Sequence, residues 1–307
     1  MASHRPWDAD RPLTLAAVRS AILSHFPVVD VRGLEHLGSG WEFDAYMTAD
    51  GWVFRFPRRA EYARIFERES AVHALLRPVL PTHIAIPRVE LLGAPGPHFP
   101  YPFAGHRWVP GVSADRPGVE PAPSLNGEIG AALGAIHSVP EDDALAAGVE
   151  ADEEGAPEWY REAVEFAPAL AGLSPAIDAA LDWLRGVAAP PGPYQGPVRL
   201  IHNDLAPEHL LVDAETGHLT GILDWTDAAL GDPALDFAVL VPWRGWEFVG
   251  DARGAYGARL DPGFDRRVGF LARVLSLAWL QESRERGTDV EKHLRWVVNA
   301  FSGPDPL

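Results

Sequence analysis

The chain has no cysteine and a single lysine, Lys292. Without thiols it can form no disulfide, thiolate nucleophile, zinc–cysteine centre or cysteine-ligated iron–sulfur cluster. A Walker-type phosphate loop, which needs Gly-Lys-Ser/Thr, is also excluded. Any phosphate-binding cation elsewhere in the chain must be an arginine. No run of about 18 consecutive apolar residues occurs, so no membrane span and no membrane partner is expected. Basic residues are few: 26 Lys and Arg stand against 43 Asp and Glu, a formal charge of -17. That balance argues against a nucleic-acid partner, because phosphate neutralisation needs Lys and Arg. It suits a cationic small molecule better. The opening Met1-Ala2-Ser3-His4-Arg5-Pro6-Trp7-Asp8 lacks a basic-then-apolar signal and reads as cytoplasmic. The expected oligomeric state is a monomer or a weak dimer.

What remains is the composition of a folded chain. It has 307 residues, 47% apolar and 22% charged, enough for two domains and too apolar for disorder. Leu15, Val18 and Ile22 recur at helical spacing behind Thr14, a capping residue, and predict a helix over 12–24. From residue 34 the period shortens. Residues 34–37 and 41–47 read as strands around Gly38-Ser39-Gly40, and Asp50-Gly51 as the hairpin into a third strand at 52–56. A helix over 60–77 ends before Pro78, and 89–92 and 106–109 read as strands on either side of a Pro/Gly-rich loop. Beyond them the pattern is mostly helical. Leu125, Ile129, Leu133 and Ile136 line one helix face. Residues 141–154 read as an acidic loop with seven carboxylates, 158–171 and 175–187 as helices, and 190–197 as a linker. Short strands follow at 198–201, 210–212 and 219–223, then a helix over 268–281. No internal repeat is present. The class is α+β: a small antiparallel sheet, then a mainly helical part.

One stretch concentrates polar chemistry between apolar strands: Ile201-His202-Asn203-Asp204-Leu205-Ala206-Pro207-Glu208-His209-Leu210. Asp224 stands fifteen residues past His209, within Gly221-Ile222-Leu223-Asp224-Trp225-Thr226-Asp227, and Gly231-Asp232-Pro233-Ala234-Leu235-Asp236-Phe237-Ala238 follows. A strand–loop–strand–turn–strand unit ending in Asp224 can bring Asp204, His209 and Asp224 to one mouth. Carboxylates there could hold a divalent cation and orient a hydroxyl. Asp232, ahead of Pro233, reads as a helix cap, and Asp236 as a structural acceptor for the loop. A competing reading takes His202, Asp204 and His209 as a metallohydrolase site, but it leaves Gly38-Ser39-Gly40 and Asp224-Trp225 unexplained.

The pattern His202-x-Asp204-x-x-x-x-His209, then Ile222-x-Asp224-Trp225, then Gly231-Asp232-Pro233-x-x-Asp236-Phe237-Ala238 resembles the aminoglycoside and macrolide phosphotransferases. These share the protein-kinase architecture, with a base Asp, a metal-ligating residue five positions on, and a later metal-binding Asp. The resemblance runs over residues 28–285. It implies a two-lobed protein-kinase-like fold: a nucleotide-binding N-lobe over 1–107 and a catalytic and substrate C-lobe over 108–307. Leu37-Gly38-Ser39-Gly40-Trp41-Glu42 resembles the nucleotide-positioning loop, so Ser39 and Gly40 would contact phosphate. Trp52-Val53-Phe54-Arg55-Phe56 resembles the strand carrying the phosphate-binding lysine, with Arg55 in its place. Glu69 on the next helix matches the glutamate that pairs with it, and Glu67 competes for the role. Trp108 and Val109 lie in the segment that resembles the interlobe hinge, whose backbone contacts the purine.

What the resemblance implies is transfer of the γ-phosphoryl of ATP or GTP to a hydroxyl of an aminoglycoside, conferring resistance. Asp204 would be the base, and His209 and Asp224 the Mg²⁺ ligands. Asp227, Glu247, Asp251 and Glu282 are candidate carboxylates for a cationic substrate, and the aromatics Trp243, Trp246 and Phe248 read as core, with a wall for a macrolactone as the alternative. Arg55 followed by Pro57-Arg58-Arg59, with His209 and Asp224-Trp225-Thr226, resembles the macrolide branch. The His202-Asn203-Asp204 triplet and Phe99-Pro100-Tyr101-Pro102-Phe103 resemble the aminoglycoside branch. A metabolite kinase and a pseudokinase of the same fold are the further alternatives.

Overall fold

The computed structural model describes residues 8–153 and 155–305. Residues 1–7 of the N-terminal signal reading and Glu154 of the acidic run lie outside these. The chain divides into two compact units. The first is the chain up to Ala74 together with Ala85–Pro110, and the second is Leu75–Ile84 together with the chain from Gly111.

In the first unit, α1 (Leu15–His25) starts at Thr14, whose hydroxyl accepts the Ala17 N–H as expected of a cap. Strands β1 (Glu35–Ser39), β2 (Phe43–Met47) and β3 (Trp52–Pro57) are followed by a 3₁₀ turn at Ala60–Arg64 and helix α2 (Ile65–Leu76). The expected 60–77 helix is thus shorter by its first turn. β4 (Leu91–Gly93) and β5 (Phe103–Arg107) complete an antiparallel sheet in the order β1-β2-β3-β5-β4. β5 begins three residues before the predicted strand because Phe103 stacks on Phe56 at 4.6 Å and 10°. β3 is central and buried on both faces, so successive side chains serve different layers. Trp52, Phe54 and Phe56 enter the core shared with Val18 and Ile22 of α1. Burying each of the phenylalanines stabilises the unit by about 1.5–3 kcal/mol. Arg55, between them, points the other way, where Phe43, Phe66 and Ala104 form a smaller cluster.

In the second unit, β6 (Val112–Ser113) precedes α3 (Leu125–Ile136), α4 (Glu141–Ala146), α5 (Ala156–Leu170) and α6 (Pro175–Gly186). α4 was expected to be loop. Its Glu141, Asp142 and Asp143 occupy the first helical turn, where negative charge complements the helix dipole. Strands β7 (Arg199–Ile201), β8 (Leu210–Val212), β9 (Leu219–Ile222) and β10 (Ala229–Gly231) form two small sheets, β6-β8-β9 and β10-β7. Helices α7 (Ala234–Ala238), α8 (Leu240–Ala255), α9 (Phe264–Arg286) and α10 (Val290–Phe301) follow.

α9 is the buried axis on which α5, α7 and α10 pack. α3 lies directly on α8. A Cβ at Gly130 would meet the Ala252 carbonyl oxygen at 1.9 Å, and one at Gly134 that of Tyr256 at 2.2 Å. Two glycines four residues apart let the backbones touch. Lys292 on α10 reaches Asp115 at 3.3 Å and lies over the Trp296 ring at 5.0 Å. Trp243, Trp246 and Phe248, expected in the core, are half-buried around the break in α8 at Gly245. Among the described residues no helix is long and apolar enough to cross a membrane.

Candidate active site

In the first unit the Arg55 guanidinium forms an ion pair with Glu69, and both are buried. Glu69 rather than Glu67 takes this place, because Glu67 lies on the exposed face of α2. The guanidinium carbon sits 4.9 Å from the Phe43 ring centroid and 5.4 Å from that of Phe66, a cation held between aromatic faces. His73, one turn along α2, places Nε2 3.9 Å from the other Glu69 oxygen. His106 on β5 is also buried, and burial first, then the nearby Arg55 charge, pull it down to about 4. The pair is therefore set in a nearly closed polar cluster, which the strand alternation of β3 predicts only in part. The Phe43 and Phe66 rings carry no signature in the sequence beyond ordinary apolar positions.

The glycine turn closes through the Gly40 N–H donating to the Phe43 carbonyl at 2.9 Å. A Cβ would meet nothing within 4 Å at Gly38 and only that carbonyl, at 3.7 Å, at Gly40. The turn itself does not demand these glycines. Ser39 places its hydroxyl 3.2 Å from His36 Nε2. Trp108 is 47% exposed, and its N–H donates to the Gly51 carbonyl at 2.8 Å, whereas Val109 is buried.

In the second unit, β7 runs into His202-Asn203-Asp204, and a 3₁₀ turn at Pro207–His209 returns the chain to β8. Asn203 and Asp224 both adopt left-handed backbone, at φ 70° and 57°, a conformation a non-glycine residue holds only when its surroundings impose it. The surroundings do so. His202 is fully buried, with Nε2 2.8 Å from the Leu223 carbonyl, Nδ1 accepting the Asp204 N–H at 3.3 Å, and its ring 4.5 Å from that of Trp225. Both ring nitrogens are thereby engaged with the chain, and burial pulls the imidazole down to about 4. His202 knits the two turns together and offers no lone pair to a metal, which removes the physical basis of a metallohydrolase site. The Leu223 N–H donates to the His209 carbonyl at 2.8 Å. Asp236 accepts the N–H groups of His202 and Asn203, each at 2.9 Å, the structural role expected of it. Asp232 accepts the Ala234 N–H at 3.0 Å at the start of α7 and also binds Arg267.

His209 stands between the two carboxylates. Its Nδ1 lies 2.8 Å from the Asp204 carbonyl and 3.4 Å from Asp204 Oδ2, and its Nε2 lies 3.7 Å from Asp224 Oδ2. Thr226 donates to the other Asp224 oxygen at 2.9 Å, a support that sequence reading missed and that the Asp-Trp-Thr run could have signalled. Burial alone would pull His209 down, but Asp204 and Asp224 outweigh it and raise it to about 9. Asp204 is pushed up by burial and by Asp227, Asp224 and Glu208, against the pull of His209. With 40% of its side chain open to solvent, carboxylate crowding is the cause this geometry supports best.

Of the four candidate substrate carboxylates, Asp227 is exposed and acts electrostatically on Asp204. Glu247 is exposed on α8. Asp251 accepts from Asn126 at 2.8 Å, and Glu282 pairs with Arg286 at 2.7 Å, so both hold helices as well as charge. For a metal, the chain provides a facing pair, His209 Nε2 and Asp224, and no group of three or more ligating side chains is assembled among the described residues. Asp224 fits Mg²⁺, which is bound through one or two carboxylates and completes its shell with water and nucleotide phosphate oxygens, whereas His209 brings a nitrogen, a less usual donor for that ion. The Nδ1–H bond to the Asp204 carbonyl leaves Nε2 turned toward Asp224, as in an oriented metal ligand.

Residues 33–270 match the model of the phosphotransferase enzyme family (APH). A curated Bacillus subtilis (strain 168) protein, the uncharacterized protein YcbJ, is 55% identical over 40 residues, a match spanning 13% of this chain and 13% of that protein. The fold is similar to that of the wild-type aminoglycoside 2'-phosphotransferase-IIIa solved as its GDP complex, with 23% identity, TM-score 0.74, and 94% and 98% of the two chains covered. It is also similar to the macrolide 2'-phosphotransferase from Brachybacterium faecium, with 23% identity, TM-score 0.61, and 94% and 99% covered. With the glycine turn, the Arg55–Glu69 pair and the Asp204–Asp224 loops all inside the matched residues, the chain belongs to the phosphotransferase enzyme family.

Proposed function

We propose that this phosphotransferase moves the γ-phosphoryl group of ATP or GTP to a hydroxyl of an aminoglycoside. The observation that carries the reading is the Asp204–His209–Asp224 cluster, in which one imidazole stands between two carboxylates, 3.4 Å from the first and 3.7 Å from the second. A carboxylate in this position can accept a proton from a hydroxyl brought within hydrogen-bond reach. Asp204 orients the acceptor hydroxyl and takes its proton as the new O–P bond forms and the bond to the β-phosphate oxygen breaks. The transition state is loose, so positioning and charge neutralisation do most of the work.

Arg55, held by Glu69 between two rings, neutralises nucleotide phosphate. The Ser39 hydroxyl donates to the same phosphates, and the open space at Gly38 and Gly40 lets them approach the turn, in keeping with glycines that the turn itself does not require. The Trp108 and Val109 backbone meets the purine. His209 and Asp224 would hold Mg²⁺, which supplies charge neutralisation on the transferring phosphoryl group. The field that keeps His209 protonated up to about 9 also favours a divalent cation, with loss of that proton. Asp227, beside Asp204, binds an amine of the acceptor, and Glu247, Asp251 and Glu282 extend the acidic surface. The formal charge of -17 supports a cationic acceptor.

The test is to incubate the protein with Mg²⁺, ATP or GTP, and a panel of aminoglycosides and macrolides, following the mass of each compound. One phosphoryl group added to an aminoglycoside supports the reading. Asp204→Asn should lower turnover by about 10²–10⁴ while leaving stability nearly unchanged, and near-wild-type turnover would sink the assignment. A macrolide acceptor is the second reading. It is favoured by half-buried Trp243 and Phe248, T-shaped at 5.6 Å, which offer an apolar wall to a lactone ring. Phosphorylation of macrolides alone would promote it.

A further inference from the structure

The second unit holds a cavity of about 380 Å³ between β7, the start of α7 and the turn that joins α8 to α9. None of the residues assigned to phosphoryl transfer lines it. Its charge is unlike that of the chain. Arg199, the first residue of β7, and Arg259, in the turn, both line it. Among the described residues no carboxylate lies within ion-pair distance of either guanidinium, because the two acids nearby are taken by a third arginine. Arg267 donates through Nη2 to Asp232 at 3.1 Å, and through Nη1 and Nη2 to Asp261 at 2.8 and 2.7 Å. Asp261, itself on the cavity wall, also accepts the Gly263 N–H at 2.9 Å. The Arg267 hydrogen bonds hold it below the usual carboxylate range. Three arginines therefore meet two carboxylates here, in a chain of formal charge -17. The Tyr194 ring stands among them, with the Arg267 guanidinium carbon 4.6 Å from its centroid. Pro197, Pro233, Leu260 and Pro262 supply the apolar part of the wall. Proline backbone is fixed in advance, so such a wall needs little ordering to receive a ligand.

We propose that this cavity is a second binding site, for a small molecule that joins an oxyanion, carboxylate or phosphate monoester, to a ring-sized apolar body. Guanidinium forks match the oxygens of both anions. Arg267 shows how an arginine is satisfied in this region, by two carboxylates. Arg199 and Arg259 lack that partner and present their donors to the cavity. Arg199 is half-buried and Arg259 exposed. One cation is therefore fixed on the strand, and the other can swing onto the anion from the mouth. The volume falls in the range of small-molecule sites and leaves room beyond the oxyanion for a body against Tyr194 and the prolines. Partial enclosure matters to the strength of such a contact, since charges away from bulk water are screened less.

The full chain is titrated calorimetrically with phenyl phosphate, benzoate and inorganic phosphate at one ionic strength. The tighter of the two ring-bearing probes should bind with a Kd of about 0.1 mM. It should bind at least about tenfold more tightly than inorganic phosphate, as partial burial of a phenyl ring requires. Which of the two is tighter identifies the anion as a phosphate ester or a carboxylate. Arg199→Gln and Arg259→Gln should each weaken that binding by about tenfold, and the double variant should abolish it. Thermal unfolding without added anion should be nearly unchanged in all three, because neither charge is paired in the fold. If Arg199→Gln does not fold, Arg259→Gln, at an exposed position, carries the same readout. The proposal is overturned if neither ring-bearing probe binds at about 10 mM, or if the double variant binds as wild type does. It is overturned equally if inorganic phosphate matches both ring-bearing probes. No phosphoryl acceptor enters the measurement, so it decides this site whether or not an aminoglycoside is phosphorylated.

Discussion

Glu69 is fully buried, and its partner Arg55 retains 9% exposure. Replacing Glu69 by Leu keeps the volume apolar and removes the carboxylate that faces the guanidinium. Removing one partner of a buried ion pair costs about 3–5 kcal/mol, because the remaining charge is left uncompensated. The Phe43 and Phe66 faces, at 4.9 and 5.4 Å, stay in place and soften that penalty. A loss near the lower end, about 3 kcal/mol, is therefore expected. The double variant Arg55→Met with Glu69→Leu removes both charges into an apolar surround and should regain most of the loss, since such pairs are often neutral against hydrophobic replacement. Urea unfolding followed by tryptophan fluorescence reads this, with Trp41, Trp52 and Trp108 in the first unit. Under the proposed reading of Arg55 as the phosphate contact, turnover should be lost in the single and the double variant alike, while stability returns only in the double. A single-variant loss below about 1 kcal/mol, or a double variant no more stable than the single, would refute the claim that the pair is a desolvated unit.

Other expectations follow from particular contacts. Gly130→Ala should destabilise by about 1–3 kcal/mol through overpacking against Ala252, whereas Gly250→Ala, where a Cβ would meet nothing within 4 Å, should stabilise by up to about 1 kcal/mol in thermal unfolding. His106 titrates at about 4 folded against 6.5 unfolded. The unfolded chain therefore binds the extra proton first, and stability falls as pH drops from 6.5 toward 4, by on the order of 3 kcal/mol. In urea titrations across that range, His106→Asn should show a flatter acid limb than wild type. Chelating Mg²⁺ should abolish phosphoryl transfer and adding it back should restore it, read by product mass. Turnover persisting in excess chelator would remove His209 and Asp224 from the metal role.

Much of the site was legible because its residues follow short strands, where local pattern and turn chemistry agree. Asp204, His209 and Asp224 stand at the ends of β7, the turn before β8, and β9, and their spacing alone brings them to one mouth. The choice between Glu67 and Glu69 was open on helical spacing, since burial and not periodicity decides which face meets Arg55. β5 was misplaced because Phe103, Ala104 and Gly105 follow a Pro/Gly-rich stretch, and only stacking on Phe56 makes them strand. The acidic run at 141–154 hid α4, whose carboxylates look solvated until the helix dipole is counted. Trp243 and Phe248 were read as core from composition, yet the break at Gly245 turns them half outward. The 3.0 Å contact of His137 Nε2 with Asp236 had no sequence signal at all. The two lie 99 residues apart, and nothing in the chain between them announces the contact.

The near-absence of lysine has a practical side. Reagents that acylate the ε-amine beside a bound nucleotide are a common way to capture and profile kinases. In the proposed reading the cation at that position is the guanidinium of Arg55, which those reagents leave intact. The chain's one ε-amine, Lys292, is instead occupied with Asp115 and Trp296 on α10. A lysine-directed survey would therefore pass over this enzyme even when its nucleotide site is full, and a guanidinium-selective dicarbonyl is the reagent whose protection by nucleotide would reveal it.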